Sequence, residues 1–264
     1  MDHPPKRVVT RRRGKRGDAP SGLVLTERDR LLFLLVGLHG YVSTAQIARE
    51  LFPSEDRCRR RCRTLLDAGY LRVILTSSTS SNLITLTKSS LALIAGEQPE
   101  MASLLRLTTT IDVAGVDHHL GIVDARLYLV ALTKDAPMTL HAFDVGPGAH
   151  PVWETLKGAA LLPDGLATLA GPDGDFILAV EVDTGTESLG IIDDKLARYA
   201  PIMAAGQIHE LWFVTTNTVQ AGRRRSLSER LMAYQLGEVA RLMPANHLAT
   251  RPVQPPLGRV GAVP

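Results

Sequence analysis

The sequence predicts a mixed α/β protein of two domains, an N-terminal winged helix-turn-helix followed by a domain of order α-β-β-β-α-β-α. Three observations predict it. Two short capped helical segments, the second rich in arginine, precede a pair of β-prone runs. Beyond them, helical and β-prone segments alternate around an acid-rich stretch. The charge is also divided: residues 1–75 hold 16 Lys/Arg against 8 Asp/Glu, and the remainder holds 14 against 19. A basic first third joined to an acidic remainder places nucleic-acid contact at one end.

A chain of 264 residues can bury two cores. Its longest apolar run, residues 31–38, is too short to span a bilayer, and no apolar stretch follows the basic N-terminus. These features predict a cytoplasmic protein with no membrane partner. Cys58 and Cys62 lie four apart on one helix face, a poor geometry for a disulfide, and no second Cys/His pair follows at zinc spacing. They read as small core residues.

Residues 1–22 carry seven basic side chains, Arg11, Arg12 and Arg13 among them, and almost nothing apolar. Such a tail is expected to be disordered when free, and either to track DNA phosphates or to act as a solubilising tail. The winged domain is expected over 23–97. Thr26 caps a helix with Glu27 and Asp29 in its first turn, an apolar face of Leu31, Leu32, Leu34, Leu35 and Leu38, and Gly40 at its end. Ser43 and Gln46 have capping-box spacing and open a short helix that turns Ile47, Ala48 and Leu51 inward. Phe52-Pro53 breaks it, and Ser54 caps a third helix running to Ala68. At 100° per residue, with Cys58 at zero, Cys62 falls near 40°, Leu65 near −20° and Leu66 near 80°. Arg59, Arg63, Arg60 and Arg57 fall at roughly 100°, 140°, 200° and 260°, off the buried stripe. Guanidinium forks suit phosphates and the guanine edge, so these four arginines are the candidate contacts to double-stranded DNA. Residues 70–75 and 83–87 then form a hairpin, the wing, around a Ser/Thr-rich loop.

A helix from Lys88 to Ala95 and a connector over 98–110 lead to the second domain, expected over 111–250, with a loose tail at 251–264. Within it, residues 112–133 have helical periodicity, with His118 and His119 near the start. Residues 139–145, 161–169 and 176–183 read as strands, the last two joined by the turn sequence Gly171-Pro-Asp-Gly174. A helix over 189–205, a strand over 210–215 and a helix over 227–242 complete the order. Alternation puts Glu181 and Asp183 on one strand face, and Asp164 can converge from the neighbouring run. Carboxylates gathered in a sheet require protonation, a paired cation or a hard metal such as Mg²⁺. Lys195, one helix later, can reach back over them.

This order, with Pro163-Asp164 before one strand and Glu181-x-Asp183 on the next, resembles the core of restriction-endonuclease-like PD-(D/E)xK nucleases. Lys195-x-x-x-Tyr199 is similar to the Q-x-x-x-Y helix of their RecB-like branch. The chain as a whole, from about residue 24 to 243, resembles the replication-relaxation family of plasmids and integrated elements. The residues carrying this are Thr26-Glu-Arg-Asp, His118-His119-Leu120, Pro163-Asp164, Glu181 through Glu187, and Lys195 with Tyr199. The resemblance implies a plasmid- or phage-type replication protein whose winged helix docks on DNA. It also implies candidate catalytic residues Asp164, Glu181, Asp183 and Lys195, with Asp164 and Glu181 as Mg²⁺ ligands. One departure counts against chemistry: the motif lysine two after the acid is Asp183 here. A degenerate nuclease-like domain, its acids paired with Lys195 and Arg198, is therefore the leading reading. A metal-dependent endonuclease is the second. The third is a transcriptional regulator whose C-terminal domain forms a homodimer.

Overall fold

The computed structural model describes residues 23–74, 82–134, 136–216 and 219–248. The basic tail with Arg11, Arg12 and Arg13, nearly all of the expected wing loop and the C-terminal tail lie outside the described residues. The chain divides into two compact units, 1–116 and 117–264.

In the first unit, α1 (Glu27–His39) starts at Thr26, whose side chain accepts from the Asp29 N–H while Asp29 accepts from the Thr26 N–H at 2.6 Å. Asp29 is fully buried because the same carboxylate also accepts from the Arg61 guanidinium. Leu32, Phe33 and Val36 form the buried face of α1. Leu31 is exposed, a difference from the expected leucine stripe that places the core one residue further round the helix. Gly40 ends the helix with a φ of 79°, the left-handed region that disfavours a side chain.

Tyr41–Ser43 forms β1, a three-residue strand not visible in the sequence pattern. Ser43 and Gln46 then make the expected capping box of α2 (Thr44–Leu51), and Ser54 caps α3 (Glu55–Asp67). β2 (Leu71–Ile74) and β3 (Leu83–Leu86) pair antiparallel, and β1 joins on the far side of β3, giving the order β1-β3-β2. α4 spans Lys88–Glu97. Residues 98–110, expected as a connector, begin with a 3-10 turn over Pro99–Leu104. They then pack back on the unit. Leu105 is buried against Gly37, the Arg106 N–H donates to the Gly37 carbonyl at 2.7 Å, and Arg72 donates to the Thr108 carbonyl at 2.6 Å.

The second unit is a five-stranded mixed sheet of order β4-β5-β6-β7-β8. Its strands are β4 (Thr139–Asp144), β5 (Gly165–Gly171), β6 (Gly174–Asp183), β7 (Glu210–Thr215) and β8 (Ala240–Pro244). β4, β5 and β6 are antiparallel, and β6, β7 and β8 run parallel. The β5–β6 hairpin turns at the predicted Gly171–Gly174, where Gly174 has a φ of 116°. α5 (Val116–Thr133) covers one face, packing Ile122, Ala125, Tyr128 and Leu129 on Leu178, Val180, Val182 and Trp212. The other face carries α6 (Val152–Gly158), α7 (Leu189–Ala204) and α8 (Ala221–Ala233). There Trp153, Leu196, Tyr199 and Leu227 meet Leu166, Ile177, Ala179 and Phe213. A short α9 (Ala245–Leu248) follows β8.

The mixed α/β class holds, and the second unit differs from expectation in its details. α5 begins at Val116 rather than Asp112. α6 had no counterpart in the sequence reading. β5 begins after Pro163-Asp164 rather than at Leu161, because proline cannot donate to a ladder. The expected last helix over 227–242 ends at Ala233, and β8 follows. Gln235, with a φ of 60°, and Gly237 break the helix, and the open edge of β7 recruits the next residues as a strand.

Candidate functional site

Two clusters of polar side chains stand out, one in each unit. On α3, Cys58, Cys62 and Leu65 are buried, while Arg57, Arg59, Arg60 and Arg63 are all exposed. Leu66, expected in the buried stripe, is half-buried. The two thiols are free and 3.8 Å apart, and Cys58 lies 3.7 Å from the Thr44 carbonyl, so they fill the α2–α3 contact. A fifth arginine on the helix, Arg61, has a different role. It holds the buried Asp29 and the Val24 carbonyl, tying α3 to the start of α1. Burial works to raise the Asp29 pKa, but Arg61 and the Thr26 donors outweigh it and hold the carboxyl below its usual range. Arg59 is clamped by Glu55 at 2.6 Å, with Asp56 at 3.6 Å. Glu55, Arg59 and Arg63 share with Thr44, Asn82 and Ile84 the lining of a hollow of about 340 Å³ between α2, α3 and β3.

In the second unit, period-two alternation along β6 sends Glu181 and Asp183 to the α7–α8 face, as expected. They do not act as one cluster. Glu181, 2 % exposed, is met from α7: Lys195 Nζ donates to Oε2 at 2.9 Å and the Tyr199 hydroxyl donates to Oε1 at 2.6 Å. The Lys195 ammonium also donates to Glu187 at 3.1 Å. Asp183 is held by the Arg223 guanidinium from α8 through two 2.7 Å bonds, and it accepts from the Gly185 N–H at 3.1 Å. Arg198, expected as a partner of the acids, donates instead to the Ala160 carbonyl. Asp164 accepts from the Val182 N–H at 2.7 Å, fastening the start of β5 to β6, and lies 3.1 Å from His118 Nε2 on α5.

The electrostatics follow from these contacts. Burial pushes the Glu181 carboxyl upward, Lys195 pulls it back and the nearby Asp164 adds to the rise. Burial opposes the charge on Lys195, but Glu181 and Glu187 outweigh it and hold the ammonium pKa above its ordinary value. The hydrogen bond to Asp164 raises His118 above the usual histidine range. Tyr199 is raised well above the ordinary phenol value by burial and by the carboxylate it donates to.

Of the sequence-predicted residues, Glu181 and Lys195 are brought into direct contact, Asp164 lies close by, and Asp183 is occupied by Arg223. Sequence reasoning gave Tyr199, Glu187 and His118 only as parts of motifs and missed Arg223. Arg223 lies 40 residues from Asp183, and its run of three arginines carries no periodic signal. Among the described residues, no group of three or more His, Cys, Asp or Glu side chains is placed to hold a metal ion. The expected Mg²⁺ ligands Asp164 and Glu181 are already engaged, by a backbone N–H and His118 in one case and by Lys195 and Tyr199 in the other. The site does not fit a divalent cation as it stands; a cationic side chain takes the neutralising role.

Comparison with known proteins gives a match over residues 33–217 to the family described as Replication-relaxation. No curated protein matches. Among solved structures, restriction endonuclease FokI is similar at a TM-score of 0.34 and 12% identity, over 84% of this chain and 43% of that one. The chain thus spans less than half the length of that protein. No helix among the described residues is long and apolar enough to cross a membrane.

Proposed function

The chain belongs to the replication-relaxation family, and from that premise we propose that it is a replication or maintenance protein that docks on duplex DNA through its first unit. The carrying observation is the surface of α3. Four arginines are exposed on one helix while its cysteines and Leu65 are buried, and a capped short helix precedes it and a β-hairpin follows. That order supports a winged helix-turn-helix in which α3 is the recognition helix and lies in the major groove. The basic tail with Arg11, Arg12 and Arg13 adds phosphate contacts, so affinity falls steeply with salt.

The second unit is a nuclease-like scaffold that has exchanged chemistry for structure. Two-metal hydrolysis needs open carboxylates beside the attacked phosphate. Here Lys195 bridges Glu181 and Glu187, and Arg223 neutralises Asp183, the residue standing where the motif lysine belongs. Incubation of the full chain with supercoiled and linear DNA, with and without Mg²⁺ or Mn²⁺, tests both halves. The expected outcome is retarded DNA that stays intact. Cleavage abolished by Asp164→Ala would establish an endonuclease instead, and failure to retard any duplex at low salt would overturn the DNA-binding reading.

A further inference from the structure

The recognition surface of α3 contains an element that phosphate binding does not explain. The two residues that open the helix, Glu55 and Asp56, are acidic and well exposed, with 66% and 76% of their side chains accessible. Carboxylates in a first turn favour the helix dipole. In a helix that enters a polyanion, however, they oppose binding unless something uses them. The N-terminal residues of a recognition helix are the ones that reach base edges, and the edge that suits a carboxylate in the major groove is the N4 amino group of cytosine.

We propose that Glu55 is a base-reading residue specific for cytosine and that Arg59 is its positioning residue. The inference rests on the DNA-binding reading of α3. Arg59 Nη2 donates to Glu55 Oε2 at 2.6 Å, which biases the orientation of the carboxylate before DNA arrives and leaves Oε1 as an acceptor for the N4 amino hydrogen. Arg59 also lowers the electrostatic cost of bringing an acid between phosphates. Arg63, one turn further along, lines the same hollow as the Glu55–Arg59 pair, so acid, clamp and a second cation lie along one ridge at i, i+4 and i+8. Arg63 is placed to take a phosphate or a neighbouring guanine. Asp56 is shorter and 3.6 Å from Arg59, so it is held less firmly and serves the helix dipole.

Selection of the full chain on a randomised duplex library reads this out base by base. The wild type enriches a motif with cytosine at one position. Glu55→Gln shifts that position toward adenine, because an amide pairs with the adenine edge. The loss of cytosine preference is about fivefold or more, in the range of one mismatched base pair. Arg59→Ala blurs the same position while the rest of the motif stays, and Asp56→Asn changes nothing there. Affinity for random duplex rises in Glu55→Gln, since a charge facing phosphates has been removed. Identical motifs from wild type and Glu55→Gln overturn the proposal while leaving DNA binding intact, and so does a shift at that position in Asp56→Asn. If the wild type enriches no duplex at all, the DNA-binding reading falls first and this inference falls with it.

Discussion

Asp164 ties three elements of the second unit together. Its carboxylate accepts from the Val182 N–H and from His118, joining the entry of β5 to β6 and to α5. The hydrogen bond to Asp164 raises the His118 pKa, so the imidazole is protonated in the fold at pH values where it is neutral in the unfolded chain. A raised histidine contributes its full stabilisation below about pH 6.5, the unfolded value, and loses it as pH rises through the folded pKa. An NMR titration of the His118 ring should therefore give a midpoint above about 6.5, and Asp164→Asn should bring it down. In urea unfolding, the gap between wild type and Asp164→Asn should narrow as pH rises across that window. A wild-type midpoint at or below the ordinary value would contradict the pairing. Lys195 and Arg223 follow the same logic, each answering a buried acid that the fold cannot leave bare.

At the scale of elements, α5 lies so close to β6 that a Cβ at Gly121 would sit 2.7 Å from Val182 Cγ1. In an open helix, Gly→Ala gains about 1 kcal/mol. Here the methyl must push a buried strand residue, so Gly121→Ala should destabilise by about 1–3 kcal/mol in urea unfolding. Adding Val182→Ala makes room, and the double variant should cost less than the two single changes together. Strict additivity would mean that α5 does not pack this closely.

The same elements show what the sequence could reveal. Helices with side-chain caps were readable to within a residue or two, because Thr26, Ser43 and Ser54 announce their starts locally. The β5–β6 turn was readable from its glycines. β1 and β8 were not, since each is a short run that becomes a strand only when β3 or β7 offers an edge. α6 was hidden because its seven residues are too few for a period to show. In the site, Glu181 with Lys195 was legible from strand alternation and helix spacing. The Asp183–Arg223 pair was not, because it depends on where α8 lands.

For the whole molecule, the division of charge has a physical partition behind it. The first unit, 1–116, carries the basic excess and presents four exposed arginines on α3, and the second holds its buried acids Glu181 and Asp183 against Lys195 and Arg223. The chain's family is the one described as Replication-relaxation, and the proposed contact with DNA lies on the first unit. Affinity for duplex DNA should then depend on salt and on the face of α3, not on the acids of the second unit. The most direct measurement is fluorescence anisotropy of a labelled duplex titrated with the wild type and with Arg60→Ala/Arg63→Ala at moderate salt. Both arginines are exposed, and the ion pairs that hold Arg59 and Arg61 would be left in place. The double variant should bind at least several-fold more weakly, with a shallower salt dependence, since each lost phosphate contact removes about one unit of slope. Equal affinity and equal slope for the two proteins would contradict the proposed contact.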